Sequence, residues 1–121
     1  GAVEVRVADT YSERYTGLSN TDSLGPNEGL LFVHDEEGEY AYVMRDMAFP
    51  IDIVFVDAGG TITAIHHAAT EERPYTRYRG TGKYVLEVPY EWTTDHGVAV
   101  GDRVRIEWAD GTPPAETDSS A

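Results

Sequence analysis

Four groups of residues in this sequence combine side-chain type and spacing in ways that could do chemistry. The first is Arg14, Arg45, Asp46 and Asp52. A guanidinium presents a planar fork of donors that matches a carboxylate or similar anion, and neighbouring Asp side chains can orient what it holds. The competing structural use is an ion pair, Arg14 or Arg45 with Asp52, that ties a helix to a sheet. The second group is Asp46, Asp52 and Asp57, from which a pair of carboxylates could do acid and base work, as glycoside hydrolysis requires. With 22 acidic residues in a chain of 121, closeness of two carboxylates arises easily by chance. The third group is His34, His66, His67 and His96, which could ligate a metal with Asp52 or Glu87. His66 and His67 are adjacent, so in a strand they point to opposite faces, and no HxH or HxxxH spacing occurs. No metal and no other cofactor is therefore expected.

The fourth group interleaves Arg73, Arg77, Arg79 and Lys83 with Tyr75, Tyr78 and Tyr84. Cations beside stacking rings are what single-stranded nucleic acid binding uses. A formal charge of -13 opposes that use, because the far field repels a polyanion. A small anion or an acidic partner peptide fits better, and internal pairing with the acidic surface is the structural alternative. Two near misses carry no function. Residues 77–84, RYRGTGKY, lack the leading Gly and the Ser or Thr after Lys of a phosphate loop. Residues 17–21, GLSNT, lack the second Gly of a nucleophile elbow.

The elements that must position these groups are short strands. Val3, Val5 and Val7 alternate with polar or small residues, which predicts a half-buried strand over 3–7. Thr10 and Glu13 form a capping box, and Tyr11, Tyr15 and Leu18 follow at helical spacing, predicting a helix that lays that face on a sheet. Residues 19–29 have the composition of a surface loop. The apolar run at 30–33 predicts a buried strand, the acidic residues 34–38 a turn, and residues 40–44 a hairpin partner for that strand. Pro50 then breaks the ladder before a central strand over 51–56. Ala58-Gly59-Gly60 supplies a hairpin turn, and residues 61–68 return. Residues 71–82 read as a loop, 84–88 as a strand stopped by Pro89, and 90–96 as a short helix with Gly97 just past its end. A last strand is predicted over 103–108.

Composition bounds the whole. A chain of 121 residues, 40% hydrophobic and 26% charged, supports one core, and no run approaches the roughly 20 apolar residues of a membrane helix. The absence of cysteine removes disulfides, thiolate metal sites and a thiol nucleophile. Eight of the nine basic residues are Arg, and such an acidic, lysine-poor surface suits a salt-rich medium, where screening lengths fall to about 3 Å. A soluble, single domain over 1–108 and a disordered acidic tail over 109–121 are expected. A signal segment removed from ahead of Gly1 would place the domain outside the cytoplasm.

Four segments, in order, carry a resemblance to a known family. They are Ala8-Asp9-Thr10 with Glu13-Arg14 and Gly17-Leu18; Gly29-Leu30-Leu31-Phe32-Val33; Tyr42-Val43-Met44-Arg45-Asp46 with Pro50-Ile51-Asp52-Ile53; and Tyr84-Val85-Leu86-Glu87-Val88-Pro89 with His96-Gly97 and Val100-Gly101-Asp102. Together, over residues 3–108, they resemble the bacterial and archaeal family known as domain of unknown function 192. The resemblance implies a single small β-rich domain and lends support to an exported protein. Two departures stand out: Arg45-Asp46-Met47 replaces a Lys-Asn-Thr run, and Ser19 replaces a Met. Arg for Lys changes the donor geometry of that corner.

The combined expectation is a mainly β domain, a compact partly open β-barrel or folded-over sheet with one or two short helices. It acts as a monomeric binding or accessory module for a small or peptide-borne anion or a protein partner, with no nucleic acid and no transmembrane segment. The site is expected at Arg14, Arg45, Asp46, Asp52, His66, Tyr75 and Arg77. The rival expectation is metal-independent hydrolysis by Asp and His groups.

Overall fold

The computed structural model of the protein describes residues 2–8, 17–19 and 21–108. They form a five-stranded mixed sheet and one short helix. β1 is Glu4–Ala8, β2 Glu28–Tyr42, β3 Ile51–Val56, β4 Ile62–Ala68, β5 Tyr78–Pro89 and α1 Trp92–Asp95. The strand order is β1-β2-β5-β3-β4, with β1 parallel to β2 and every other pair antiparallel. The mainly β class and the folded-over sheet stand, and the sheet is not closed into a barrel: β1 and β4 are its edges.

β3 is the best-covered strand. All six of its residues are buried, four of them β-branched, because it has ladder partners on both sides and packing on both faces. Ile51, Ile53 and Phe55 point to an inner face shared with Ala8, Leu18, Leu30, Phe32, Met44 and Val85. Val54 and Val56 point to the other face, where Ile62, Ile65, Tyr84, Leu86, Val98 and Val104 pack. Asp52 alternates with Ile51 and Ile53 and so belongs to this second face.

Residues 30–33 and 40–44 do not form a hairpin. Residues 30–42 lie within one long strand, β2, which pairs with β5 on both sides of an irregularity between Val33 and Gly38. Four residues, His34 to Glu37, stand opposite the single residue Lys83, so the acidic stretch is a wide bulge that bends the strand without reversing it. Residues 78–82, expected in a loop, open β5 as the partner of Gly38 to Tyr42. This distal half of the ribbon folds over β4, where Thr63 Oγ donates to the carbonyl of Thr81 and His66 Nε2 donates to that of Arg79 (2.8 Å). Gly80 makes the fold possible, because a Cβ there would overlap the Phe55 ring.

The hairpin between β3 and β4 turns at Asp57 to Gly60. Gly60 has φ 93, donates to the carbonyl of Asp57 (3.0 Å), and Asp57 Oδ1 accepts the amide of Thr61 (2.9 Å). The strand expected over 103–108 is reduced to one bridge, Thr61 with Arg103. The antiparallel register runs off β4 into the turn, where the carbonyl of Gly60 takes the Val104 amide (2.7 Å), and among the described residues no further strand follows.

α1 is shorter than the helix expected over 90–96. It ends as expected: Gly97 has φ 67, and the amides of Gly97 and Val98 donate to the carbonyls of Thr94 (3.2 Å) and Thr93 (2.8 Å). The helix expected over 10–18, with Arg14, lies largely outside the described residues, as does the tail over 109–121. Leu18, at the end of that predicted apolar stripe, is 3% exposed in the inner core.

Candidate functional site

Asp52 is the most densely bonded polar group described. Its side chain is fully buried, and its Oδ1 accepts His67 Nδ1–H (2.7 Å) and the amide of Glu91 (2.7 Å). Its Oδ2 accepts the amide (3.0 Å) and the hydroxyl (2.6 Å) of Thr93. A buried carboxylate persists only when donors replace its lost water, and here the first turn of α1 supplies three of the four. Asp52 thus fastens α1 to the second face of the sheet. The fourth donor, His67, comes from the facing position on β4. With Nδ1 donating, the neutral ring turns an acceptor, Nε2, outward. The His67 side chain is 40% exposed, and the Tyr90 ring stands edge-on at 6.2 Å.

His66 lies on the opposite face. Its ring meets Phe55 at 5.9 Å and Tyr78 at 5.5 Å, continuing a chain of edge contacts from Phe32 through Tyr42 to Phe55. The donation to Arg79 fixes the start of β5, which carries Arg79 and directly follows Arg77. Arg73, Arg77 and Arg79 are all exposed, and among the described residues none of their guanidinium groups has a hydrogen-bond or ion-pair partner. Tyr75 is half-buried between them, and Glu71 clasps the segment by accepting from both the amide and the hydroxyl of Thr76.

Arg45 and Asp46 occupy a turn that follows β2. Asp46 is exposed with φ 56, and the carbonyl of Arg45 accepts the Ser19 hydroxyl (3.1 Å). The predicted site residues therefore fall into separate groups. Arg45 and Asp46 lie at the turn, Tyr75 and Arg77 along the arginine segment, His66 under that segment, and Asp52 on the other face; Arg14 is outside the described residues. Asp52 makes its bonds to His67, Glu91 and Thr93, not to Arg45. Asp57 is spent on the hairpin turn. Among the described residues no three His, Asp or Glu side chains are grouped to hold a metal ion.

Two groups escaped the sequence reading. His67 was passed over as the partner of Asp52: the pairing next to the turn, Val56 with Ile62, counts back to His66, and it is the irregularity between Phe55 and Val56 that brings His67 opposite Asp52. Glu87 was weighed only as a metal ligand. It is 5% exposed on the inner face between Leu30 and Ile53, and burial raises its carboxyl pKa to about 8. Among the described residues nothing hydrogen-bonds to it, so at neutral pH the group carries its proton.

The domain has solved structural relatives. A "putative transcription regulator" from Sinorhizobium meliloti 1021 is 31% identical, with a TM-score of 0.75 over 82% of this chain and 78% of that one. A protein of unknown function from Novosphingobium aromaticivorans DSM 12444 is 26% identical, with a TM-score of 0.78 over 86% and 75%. No curated protein matches the chain. The family model DUF192, described as an uncharacterised ACR, matches residues 1–106, most of the chain: the chain belongs to the DUF192 family.

Proposed function

We propose that the protein is a binding module, without catalysis of its own, that receives an acidic peptide segment on the exposed arginine face. The observation that carries this reading is that, among the described residues, Arg73, Arg77 and Arg79 find no internal carboxylate, in a chain rich in acidic residues. Internal pairing was the competing use of these cations, and the fold leaves it unmade among the described residues. Arg77 and Arg79 are two residues apart on an extended segment, so their stems are roughly 7 Å apart. That spacing matches alternate carboxylates on an extended partner. Tyr75 supplies an amphipathic ring beside them. Arg45 and Asp46 lie three and four residues past Tyr42, which pairs with Tyr78, and so flank the same end of the ribbon. His66 acts by holding the strand through Arg79, and Asp52 by holding α1.

A module that works through a protein partner also suits the regulator designation of the Sinorhizobium relative. The test is fluorescence anisotropy with a labelled hexaglutamate peptide at graded salt, with hexalysine and a thymidine oligonucleotide as controls. Binding of hexaglutamate that weakens at least tenfold in Arg77→Ala/Arg79→Ala supports the reading. No binding, or equal binding by the double variant, refutes it.

One observation favours a second reading, metal-independent hydrolysis: the Asp52–His67 pair turns an oriented imidazole acceptor toward solvent, as a general base requires. A screen of chromogenic esters and glycosides with wild type and His67→Gln decides it. Turnover lost in the variant would establish this reading, and a silent wild type would remove it.

A further inference from the structure

We propose that a second site, in the cleft where β1 and β2 begin, binds a small zwitterion: a free α-amino acid with an apolar side chain. The cleft has a volume of about 350 Å³ and lies between the first residues of the two strands and Leu18, Thr21, Ser23 and Leu24. That size is at the low end for ligand pockets and suits a single small molecule.

Its charges are arranged for a ligand that bears both signs. The parallel register sets Glu4 beside Glu28, two carboxylates on neighbouring strands with no cation of the protein between them among the described residues. Like charges placed this way repel. Glu28 Oε1 accepts the amide of Gly25 (2.7 Å), which aims the carboxylate and leaves its second oxygen uncommitted. Arg6 lies two residues beyond Glu4 on the same side of the strand and lines the same cleft. It is exposed, yet it makes no ion pair with either glutamate or any other described residue. Two carboxylates and a guanidinium thus share one cavity, each too far from the other sign to neutralise it directly.

A molecule with an ammonium and a carboxylate on adjacent atoms bridges that gap. The ammonium sits between Glu4 and Glu28, and the carboxylate receives the Arg6 fork. Thr21 and Ser23 add hydroxyls at the rim. Leu18, buried in the inner core, and half-buried Leu24 form an apolar wall for the ligand side chain. A simple anion would face two uncompensated carboxylates, and a simple cation would face Arg6. The site shares no residue with the arginine face, so either proposal can fail alone.

The experiment is a titration followed by amide NMR shifts, in molar salt, with leucine, leucinamide and N-acetyl-leucine. Leucine should give saturable shifts confined to residues 4–6, 21–25 and 28–29, and should bind at least tenfold tighter than either half-charged analogue. Arg6→Gln and Glu4→Gln, both at exposed positions, should each weaken leucine at least fivefold while leaving the remaining spectrum unchanged. Absence of saturable shifts with leucine overturns the proposal. So does equal binding of the three compounds, or leucine binding by Arg6→Gln at wild-type strength.

Discussion

Replacing Glu87 with glutamine keeps the shape of a buried side chain and removes its proton equilibrium. In the folded protein the Glu87 carboxyl is pushed by burial to about 8, from an ordinary value of 4.5. Between these two values the folded state holds a proton that the unfolded chain has released. Stability therefore falls as pH rises through this window, and it is flat below 4.5 and above about 8. At about 1.4 kcal/mol per pH unit the whole window amounts to about 5 kcal/mol, of which about 3 kcal/mol is already lost at pH 7. Against a typical domain stability of about 5–15 kcal/mol, that is a large share. The assay is urea unfolding of wild type and Glu87→Gln at pH 5, 6, 7, 8 and 9 in constant molar salt. Other titrating groups are common to both chains and cancel in the difference. Glu87→Gln should match wild type near pH 5 and gain on it steadily, until it leads by several kcal/mol above pH 8. Parallel stability curves across the series would refute the reasoning, since they would mean that Glu87 is solvated or paired in the native state.

The remaining predictions concern the fold's other devices. Asp52→Ala strands four donors at once and should cost about 3–5 kcal/mol in denaturant unfolding, with hydrogen exchange at the amides of Glu91 and Thr93 accelerating before that of β3. Thr93→Val removes one of these bonds and should cost about 1–2 kcal/mol. Gly80→Ala drives a methyl into the Phe55 ring and should cost about 1–3 kcal/mol, whereas Gly97→Ala, with φ 67 and open space around it, should cost about 1 kcal/mol. Thermal midpoints that fail to rank the two substitutions in this order would count against the fold-over. A net charge of -13 should make the thermal midpoint rise steeply between roughly 0.1 M and 1 M salt, as screening falls to about 3 Å, and an unchanged midpoint would remove self-repulsion from the account.

How far the sequence could be read depended on whether a feature was local. β3 was legible because a run of β-branched and aromatic residues between Pro50 and Gly59-Gly60 has few other uses, and the hairpin to β4 follows from the glycines. β2 was misread because Asp35, Glu36 and Glu37 look the same in a turn as in a bulge; only the distant partner Lys83 distinguishes them. The start of β5 was hidden by Gly80 and Gly82, which serve close packing against Phe55 and the β3 backbone and not a turn. Asp52 stood out in the sequence as a candidate ligand-binding residue or ion-pair partner, but its actual donors are not legible there: three of the four come from Glu91 and Thr93 at the start of α1, and two of those are backbone amides that leave no trace in residue type. That Arg73, Arg77 and Arg79 have no ion-pair partner among the described residues is likewise invisible without coordinates, since abundant acids in the sequence suggest pairing everywhere.

The place of β5 in the sheet has a consequence for how the protein is made. Its residues come last among the strands, yet they fill the slot between β2 and β3. While the ribosome is still translating the sixties and seventies, the ladders open to the nascent chain are the parallel pair of β1 and β2 and the hairpin of β3 and β4. The two pairs must wait with an unfilled gap between them. The domain consequently completes itself only after Pro89 has cleared the exit tunnel, and until then its open sheet is exposed to whatever chaperone meets the emerging chain.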